Sequence, residues 1–203
     1  MGKKGIETKE MIRREAYPLF ASGGFKDITM KDICEATGLS RGGLYRHYDS
    51  TRQIFREILD SLIDEQDQEF GRQLEKNQPA ADILNAVLKK YKDEMLDAKN
   101  SLSLAIYEYY STEESTADNL LNRQYYLSYS SWERLMEYGI VRGEFRKADI
   151  RTIFDLLIFS YQGVRMYSRL TVIEEAITER IINQIRELIL PEQKEDAARQ
   201  IKN

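Results

Sequence analysis

The stretch from Thr29 to Phe55 constrains this chain most, since it reads as two short helices joined by a tight turn and followed by a third helix. Asp32 follows Thr29 at the spacing of a capping box, which marks the start of a helix. Gly38 ends that helix, because glycine adopts a left-handed turn without a steric penalty. Ser40 is placed to cap the next helix. The pattern predicts a helix-turn-helix, a motif whose second helix enters the major groove of DNA.

The first turn of the predicted second helix contains two adjacent glycines, Gly42 and Gly43. Each glycine in a helix costs about 1 kcal/mol relative to alanine, so the pair indicates that a partner approaches the backbone closely. Arginines beside them can donate two hydrogen bonds to a guanine edge, and Tyr45 and His47 can reach phosphate oxygens. In isolation a Ser-Arg-Gly-Gly sequence is typical of a flexible surface turn. The flanking caps favour the DNA-reading helix.

The residues from Gly38-Leu39-Ser40 through Leu44-Tyr45-Arg46-His47-Tyr48 to Ile54-Phe55 resemble the signature of the TetR/AcrR family of bacterial regulators. The resemblance runs from about residue 8 to about residue 58. It implies a sequence-specific DNA-binding transcriptional regulator, by family default a repressor. The DNA-binding residues that we predict are Thr29, Lys31, Ser40, Arg41, Gly42, Gly43, Tyr45, Arg46, His47 and Thr51.

Two positions depart from the family pattern within this stretch. Thr51 stands where relatives commonly have a lysine that touches a phosphate, and Asp49 adds a negative charge where relatives are often basic. The first change removes an expected contact. The second is expected to weaken nonspecific affinity more than specific readout.

Few residues that break helices interrupt the 203-residue chain, which contains 3 Pro and 11 Gly. Strand-like alternation is scarce, so the sequence predicts an all-α protein. We expect an N-terminal three-helix bundle with a helix-turn-helix, and a larger C-terminal helical domain for ligand binding and dimerisation, with about nine helices. The predicted domains are residues 1–50 and 51–203, connected by a fourth helix at 51–75. Pro18 predicts a kink in the first helix or a late start of that helix.

The net charge of −4 is unevenly distributed along the chain. Residues 1–50 hold nine Lys and Arg against seven Asp and Glu, a balance of +2, and the remainder hold 21 against 27, a balance of −6. Lys3, Lys4 and Lys9 are predicted to form a basic arm toward DNA, with a merely solvated arm as the alternative for Lys3 and Lys4. No apolar run is long enough to span a bilayer. A single cysteine, Cys34, fits a reducing compartment, so we expect a cytoplasmic protein without membrane contact.

The two last predicted helices are apolar on more than one side. Asp149 is placed to cap the first, which should reach about Leu170. Thr171 with Glu174 predicts a capping box for the second, which ends before Pro191, and the charged segment after Glu192 is predicted to fray. A dimer interface is the expected role of this apolar surface, with a simple internal hairpin as the alternative. The residues assigned to it are Phe154, Leu157, Tyr161, Ile181, Ile185 and Leu188. Two-fold symmetry then predicts a palindromic operator.

Tyrosines are dense in the middle of the second domain. They offer an apolar wall with polar tips, which suits a planar aromatic or cationic small-molecule effector, with Glu108 or Glu133 as a counter-charge. The alternative is that these rings belong to the core and its rim. The predicted ligand-binding residues are Tyr107, Tyr110, Tyr125, Tyr129, Trp132 and Tyr161.

Motifs for catalysis are missing from the sequence. The single histidine, His47, has no adjacent nucleophile, and no phosphate-cradling glycine motif or metal-binding spacing occurs. We therefore expect no enzyme, no catalytic residue, no metal and no cofactor. The predicted function is a homodimeric repressor that a small molecule releases from DNA. A helical scaffold that binds a protein partner and has lost its DNA affinity is the alternative.

Overall fold

The structure, a computed structural model, describes residues 2–111 and 120–191, apart from the side chains of residues 66–70 and 74. The described part is all-helical, as predicted. A cluster of Ser, Thr and Glu at residues 111–116 predicts a break between two helices; its residues 112–116 and the tail after Glu192 lie outside the described residues. The helices are α1 (Lys3–Gly23), α2 (Met30–Thr37), α3 (Arg41–Tyr45), α4 (Thr51–Glu75), α5 (Ala80–Leu96), α6 (Ser103–Tyr110), α7 (Leu120–Val141), α8 (Ile150–Tyr167) and α9 (Glu175–Ile189).

Two compact units divide the chain. The described residues of the first lie within Met1–Gln66 and Asp97–Leu120, and those of the second within Asp67–Leu96 and Leu121–Asn203. Helix α6 thus belongs with the N-terminal helices, and α4 contributes residues to both units. The predicted division at residue 50 stays a prediction of functional domains.

Helix α1 runs from Lys3 to Gly23 with Pro18 in its interior, so the late start is wrong and the alternative, a kink at Pro18, stays a prediction. Pro18 lies on the exposed side of the helix, whereas Ile12, Ala16 and Phe20 repeat every four residues and are buried. Burial of this apolar stripe offsets the local cost of the proline. The basic N-terminal residues also lie within α1 and not in an arm.

The core of the first unit contains residues of α1, α2, α3, α4 and α6. Phe20, Phe25, Phe55 and Tyr109 form a connected group of rings with centroids 4.9–6.1 Å apart. Glu108 of α6 accepts hydrogen bonds from the backbone N–H groups of Phe25, at 2.6 Å, and Lys26, at 3.0 Å. Aromatic contacts and these charge-assisted bonds therefore fix α6 against the end of α1.

Gly24 makes this approach of Glu108 possible. Its φ of +81° is in the region that L side chains rarely adopt. A Cβ at this position would also lie 2.5 Å from Oε2 of Glu108. Glycine is therefore required at this position by the backbone conformation and by the neighbouring carboxylate.

The segment 142–146 holds the second unit together after α7 ends. Arg142 donates to Asn77 at 2.8 Å, and Glu144 accepts the N–H of Ala81, at the start of α5, at 3.0 Å. Arg146 donates from its backbone to the carbonyl of Ile189, at the end of α9, at 3.0 Å. One short turn thereby satisfies backbone groups at the ends of two helices, which otherwise lack partners within the helix.

The two last helices differ in how well their caps were predicted. Asp149 caps α8 through the N–H of Thr152 at 3.2 Å, as expected, although α8 ends at Tyr167 and not near Leu170. The capping box of α9 is wrong, because Glu174 is the N-cap residue and makes no side-chain cap bond. Helix α9 ends at Ile189, before Pro191, as predicted.

Across the described residues, the helices lack a stretch that is both long enough and apolar enough to cross a membrane.

Candidate nucleic-acid interface

The predicted helix-turn-helix forms from local side-chain caps. Thr29 and Asp32 make a reciprocal capping box at the start of α2, in which the backbone N–H of Thr29 donates to Asp32 at 2.8 Å. The side-chain and backbone hydrogen bonds from Thr29 lower the pKa of Asp32 below its usual 3.8. Gly38 ends α2 with φ at +68°, the left-handed conformation that the sequence predicted. Both ends of α2 are thus defined, and Gly38 begins the turn into α3.

Helix α3 is short and is held by two buried side chains. Ser40 caps it by accepting the N–H of Gly43 at 3.2 Å. Leu44 is fully buried, and Tyr48, which follows the helix, is almost fully buried. The helix ends at Tyr45, earlier than the sequence pattern indicated. Because Leu44 and Tyr48 face the core, the other side chains of this segment are available to a partner.

Arg41 and Arg46 are exposed, Tyr45 is 50% exposed, and His47 is half-buried. Within the described residues, the side chains of Arg41 and Arg46 have no hydrogen-bond or ion-pair partner. Two such guanidinium groups, one at the start of α3 and one directly after its end, suit the edge of a guanine or the phosphate backbone.

The two glycines of α3 have different surroundings. A Cβ on Gly42 would meet no atom within 4 Å, so the space beside this residue is open. A Cβ on Gly43 would lie 3.3 Å from the capping hydroxyl of Ser40. Gly42 therefore leaves room for a partner to approach the backbone, whereas Gly43 leaves room for the cap. Sequence reasoning gave both glycines the first role.

Three other predicted contact residues lie near helix starts. The hydroxyl of Thr29 is already occupied by Asp32, to which it donates at 2.6 Å. Lys31 is exposed and pairs with Glu35 at 3.5 Å, a surface pair that contributes little to stability. Thr51 is the first residue of α4 and is half-buried. The contact of each with DNA stays a prediction.

Ser50 and Gln53 cap the start of α4. Ser50 accepts the N–H of Gln53 at 3.3 Å, and the side chain of Gln53 accepts the N–H of Asp49 at 2.9 Å. Arg52 lies 4.6 Å from the ring centroid of Tyr109, and is thereby held by a cation–π contact to α6. Arg52 is thus part of the packing of the first unit.

A carboxylate that the sequence did not single out connects α1, α4 and the segment after α3. Glu57 pairs with Lys9 at 2.6 Å and with Arg13 at 3.2 Å. It also accepts the hydroxyl of Tyr48 at 2.7 Å. Lys9 is therefore engaged within the unit and not presented to DNA as the sequence analysis expected. The partners are 9 to 48 residues apart in sequence, and no local spacing signals their meeting.

Comparison with known proteins agrees with this geometry. Residues 12–58 match the family of bacterial regulatory proteins of the tetR type, and residues 83–183 match the tetracyclin repressor-like C-terminal domain. The chain belongs to the TetR family. Its members regulate transcription and are not enzymes, which confirms the expectation that this chain is not an enzyme.

Two curated relatives illustrate the range of similarity. The HTH-type transcriptional regulator YfiR of Bacillus subtilis is 31% identical over 137 residues, which cover 66% of each chain. The HTH-type transcriptional repressor KstR2 of Rhodococcus jostii is 29% identical over 163 residues, 77% of this chain and 76% of the relative. The chain thus spans about two thirds to three quarters of the length of these relatives.

Solved structures share the fold. A TetR transcriptional regulator from Chloroflexus aurantiacus has a TM-score of 0.71 at 24% identity, over 94% of this chain and all of that one. A TetR-family regulator from Agrobacterium tumefaciens has a TM-score of 0.74 at 16% identity, over 92% of this chain and all of that one. At these identities the likeness concerns the fold alone.

In this TetR-family chain, the predicted effector-binding residues fall into both compact units. Tyr107, which is 63% exposed, and Tyr110 belong to α6 in the first unit. Tyr125, Tyr129, Trp132 and Tyr161 belong to the second unit. Glu108, a predicted counter-charge, is occupied by the backbone of the first unit. Glu133 accepts the hydroxyl of Tyr129 at 3.2 Å.

One group of rings in the second unit surrounds a cation. The guanidinium of Arg151 lies 4.5 Å from the ring centroid of Tyr129 and 5.1 Å from that of Tyr125. Desolvation is the main cause that raises the pKa of both tyrosines. Hydrogen bonds to carboxylates raise it further, from Tyr125 to Asp155 and from Tyr129 to Glu133. These phenols are therefore neutral hydrogen-bond donors at physiological pH.

A second group of rings is interior. Tyr161 lies 4.8 Å from Tyr91, centroid to centroid, and the indole N–H of Trp132 donates to the hydroxyl of Tyr91 at 3.4 Å. Tyr161 donates to Glu94 and accepts from Arg165. Burial is the main reason why the pKa of Tyr161 is raised. Polar groups on α5 and α8 thus meet beside aromatic walls within the second unit.

The residues assigned to a dimer interface are divided by their burial. Phe154, Leu157, Tyr161 and Ile185 are buried in the core of the chain itself. Their side chains pack within one protomer, because α8 and α9 pack against α5 and against each other. Ile181 and Leu188 are half-buried. The most exposed apolar side chains of α8 are instead Leu156, Phe159 and Tyr167, which the sequence analysis did not select.

Proposed function

We propose that this chain is a sequence-specific transcriptional repressor that acts in the cytoplasm as a homodimer and is released from a palindromic operator by a small molecule. The observation that carries the proposal is a pair of exposed arginines, Arg41 in α3 and Arg46 directly after it, which have no side-chain partner among the described residues and lie beside the open space at Gly42. Leu44 and Tyr48 hold this helix by its opposite face. Base-specific readout in the major groove requires a helix that is held in a fixed orientation and carries available hydrogen-bond donors.

The dimer is supported by an apolar face on α8. Leu156, Phe159, Gly163 and Tyr167 are spaced so that they share one side of the helix, and a Cβ on Gly163 would meet no atom within 4 Å. Phe159 is 68% exposed. An exposed aromatic stripe around a glycine favours close packing of a second subunit. Ile181 and Leu188 of α9 complete the surface that we assign to the dimer, in place of the four buried residues.

The effector part of the proposal is supported by the interior rings of the second unit. Tyr91, Trp132 and Tyr161 provide apolar walls, and Glu94 and Arg165 provide polar groups beside them. Such a mixture suits a planar aromatic or cationic molecule. To change the operator from almost fully bound by the protein to almost fully unbound, the effector must favour the released conformation by about 5.5 kcal/mol. Helix α4, which contributes to both units, is the element through which we expect the change to act.

Selection of bound sequences from a random duplex pool tests the proposal. The purified chain at near-physiological salt should enrich a palindrome whose half-sites are about one helical turn, roughly 34 Å, apart. An enriched sequence without two-fold symmetry would contradict the dimeric arrangement. Failure to enrich any sequence would overturn the proposed function and favour the protein-binding scaffold, for which Asp49 and Thr51 would then be the first positions to revert to family residues.

A further inference from the structure

Glu57 of α4 is the meeting point of three donors from two other segments of the first unit. Its Oε1 accepts from Lys9 of α1 at 2.6 Å. Its Oε2 accepts from Arg13 of α1 at 3.2 Å and from the hydroxyl of Tyr48 at 2.7 Å. Both carboxylate oxygens are therefore used, and α1, α4 and the segment after α3 are tied to a single group.

This network lies at the edge of the core. Glu57 is next in sequence to Ile58 and close to Ile54 and Phe55, which are all buried. The side chains of Lys9, Arg13 and Glu57 are 19%, 26% and 28% exposed. Burial alone would raise the pKa of Glu57, but the hydrogen bonds from Lys9 and Tyr48 hold it below its ordinary value. The carboxylate is thus charged, and its hydrogen bonds are stronger than those between neutral groups.

Tyr48 links this network to the helix that we assign to DNA reading. Its backbone N–H donates to the carbonyl of Leu44 at 3.1 Å, so it continues directly from α3. Its ring is almost fully buried, and Nζ of Lys9 lies 4.5 Å from the ring centroid. Leu44 fixes the depth of α3 by apolar contact. The hydroxyl of Tyr48 adds a directional hydrogen bond to Glu57, which fixes the orientation of α3 relative to α1 and α4.

We propose that Glu57 is a positioning residue for sequence readout, which acts through Tyr48 on the orientation of α3. The inference rests on the proposed function. Base-edge hydrogen bonds require donors and acceptors to be aligned, whereas the attraction of a basic surface to phosphates tolerates small rotations. Loss of the network should therefore reduce affinity for the operator much more than affinity for random duplex.

Two variants test this role. Tyr48→Phe keeps the ring and the net charge and removes only the hydroxyl, and Glu57→Gln removes the charge that holds all three donors. The control is Asp93→Asn, which removes an exposed carboxylate paired with Lys89 at 2.5 Å in the second unit. Dissociation constants are measured for the selected palindrome and for a scrambled duplex over a series of salt concentrations, with the thermal unfolding midpoint of each variant.

We expect Tyr48→Phe to lower the ratio of operator to scrambled-duplex affinity about tenfold, with little change for the scrambled duplex. Glu57→Gln should lower the ratio at least as much, and Asp93→Asn should leave it unchanged. Equal losses for both duplexes, in step with a lower unfolding midpoint, would reduce Glu57 to a structural role and overturn the inference. An unchanged ratio would also overturn it.

A third outcome separates positioning from charge. If Glu57→Gln steepens the salt dependence by about two phosphate contacts while Tyr48→Phe leaves the ratio intact, then Glu57 withholds Lys9 and Arg13 from DNA and does not position α3. That result contradicts the inference. Retained discrimination in the variants leaves the proposed function standing, whereas a wild-type chain that prefers no sequence overturns both.

Discussion

At the residue scale, the glycines show how one amino acid serves different needs. Gly24 and Gly38 have positive φ angles, Gly43 clears a capping hydroxyl, and Gly139 lets the ring of Phe145 approach to within 2.1 Å of where a Cβ would stand. Gly42 alone of these five is a helix residue with negative φ and open space beside it. We therefore assign only Gly42 to the approach of a partner.

The two glycines of α3 should respond differently to substitution by alanine. Gly42→Ala should stabilise the free protein, by up to about 1 kcal/mol, because alanine favours helix and meets no neighbour. The same methyl group would obstruct a duplex, so operator affinity should fall at least tenfold. Gly43→Ala should give little or no stabilisation, since its Cβ presses on Ser40. Urea unfolding and operator binding measure both effects, and unchanged operator binding in Gly42→Ala would contradict the close approach.

Gly139 of the second unit provides a contrast to Gly42, because a Cβ at this position would overlap with a neighbouring ring. Gly139→Ala should destabilise the protein by about 1–3 kcal/mol, because the ring of Phe145 must move out of a packed core. Operator affinity of the folded fraction should be unchanged, since Gly139 lies in the other unit. Thermal unfolding followed by circular dichroism measures the change, and a wild-type midpoint would show that the ring has room to move.

At the element scale, most local caps were predicted, with the box of Thr171 and Glu174 as the exception, whereas distant contacts were not. Thr29, Ser40 and Asp149 cap the helices that the sequence indicated, because a cap depends on residues two or three positions away. Helix α1 does not start late at Pro18, because burial of its opposite face outweighs a local penalty. The hydrogen bond from the backbone of Phe25 to Glu108 joins residues that are 83 positions apart, and no sequence pattern at either residue predicts it.

Glu108 provides a test of how α6 is attached to the first unit. Glu108→Ala removes the acceptor of two backbone N–H groups, and should destabilise the junction of α1 and α6 by about 2 kcal/mol. Amide hydrogen exchange at Phe25 and Lys26 should accelerate about tenfold or more, while Glu133→Ala should leave these amides unchanged. Exchange at the wild-type rate in Glu108→Ala would show that other acceptors replace the carboxylate.

The network of Glu57 predicts a dependence of stability on pH. Since the pKa of Glu57 is lowered in the folded state, its contribution is fully present above the unfolded pKa, near 4.5, and is lost as the pH falls through the lower folded value. Its partners are the side chains of Lys9 and Arg13 and the hydroxyl of Tyr48. The difference in unfolding free energy between wild type and Glu57→Gln should be about 2 kcal/mol at pH 7 and should shrink in acid. A constant difference would contradict the linkage.

At the scale of the whole molecule, family membership and the all-helical fold were accessible from the sequence, but the surfaces were not. Periodicity identified α8 and α9 as apolar on several sides without telling which side the chain itself covers. Phe154 and Leu157 proved to be core residues, and Phe159 and Tyr167 exposed ones. The tyrosines of the predicted effector site were likewise divided between two units, because a linear sequence does not show that α6 packs with the N-terminal helices.

Phe159→Glu tests the surface that we assign to the dimer. The side chain is exposed, so the charge should leave the fold of the protomer intact, whereas burial of an unpaired carboxylate in an apolar interface is strongly unfavourable. Sedimentation equilibrium should show a dimer for the wild type and a dissociation constant raised at least a hundredfold for the variant. Tyr107→Glu is the control, because Tyr107 is an aromatic residue of similar exposure in the first unit. A dimeric Phe159→Glu variant would place the interface elsewhere.

The most direct test of the central claim is titration of the selected palindrome and its scrambled counterpart with the Arg41→Ala, Tyr45→Ala double variant. Lys89→Ala, an exposed basic residue in the second unit, is the control. If α3 reads the operator, the double variant should lose about 2–4 kcal/mol of operator affinity and nearly all discrimination, with an unchanged unfolding midpoint. A double variant that still distinguishes the palindrome from the scrambled duplex would show that another surface reads DNA.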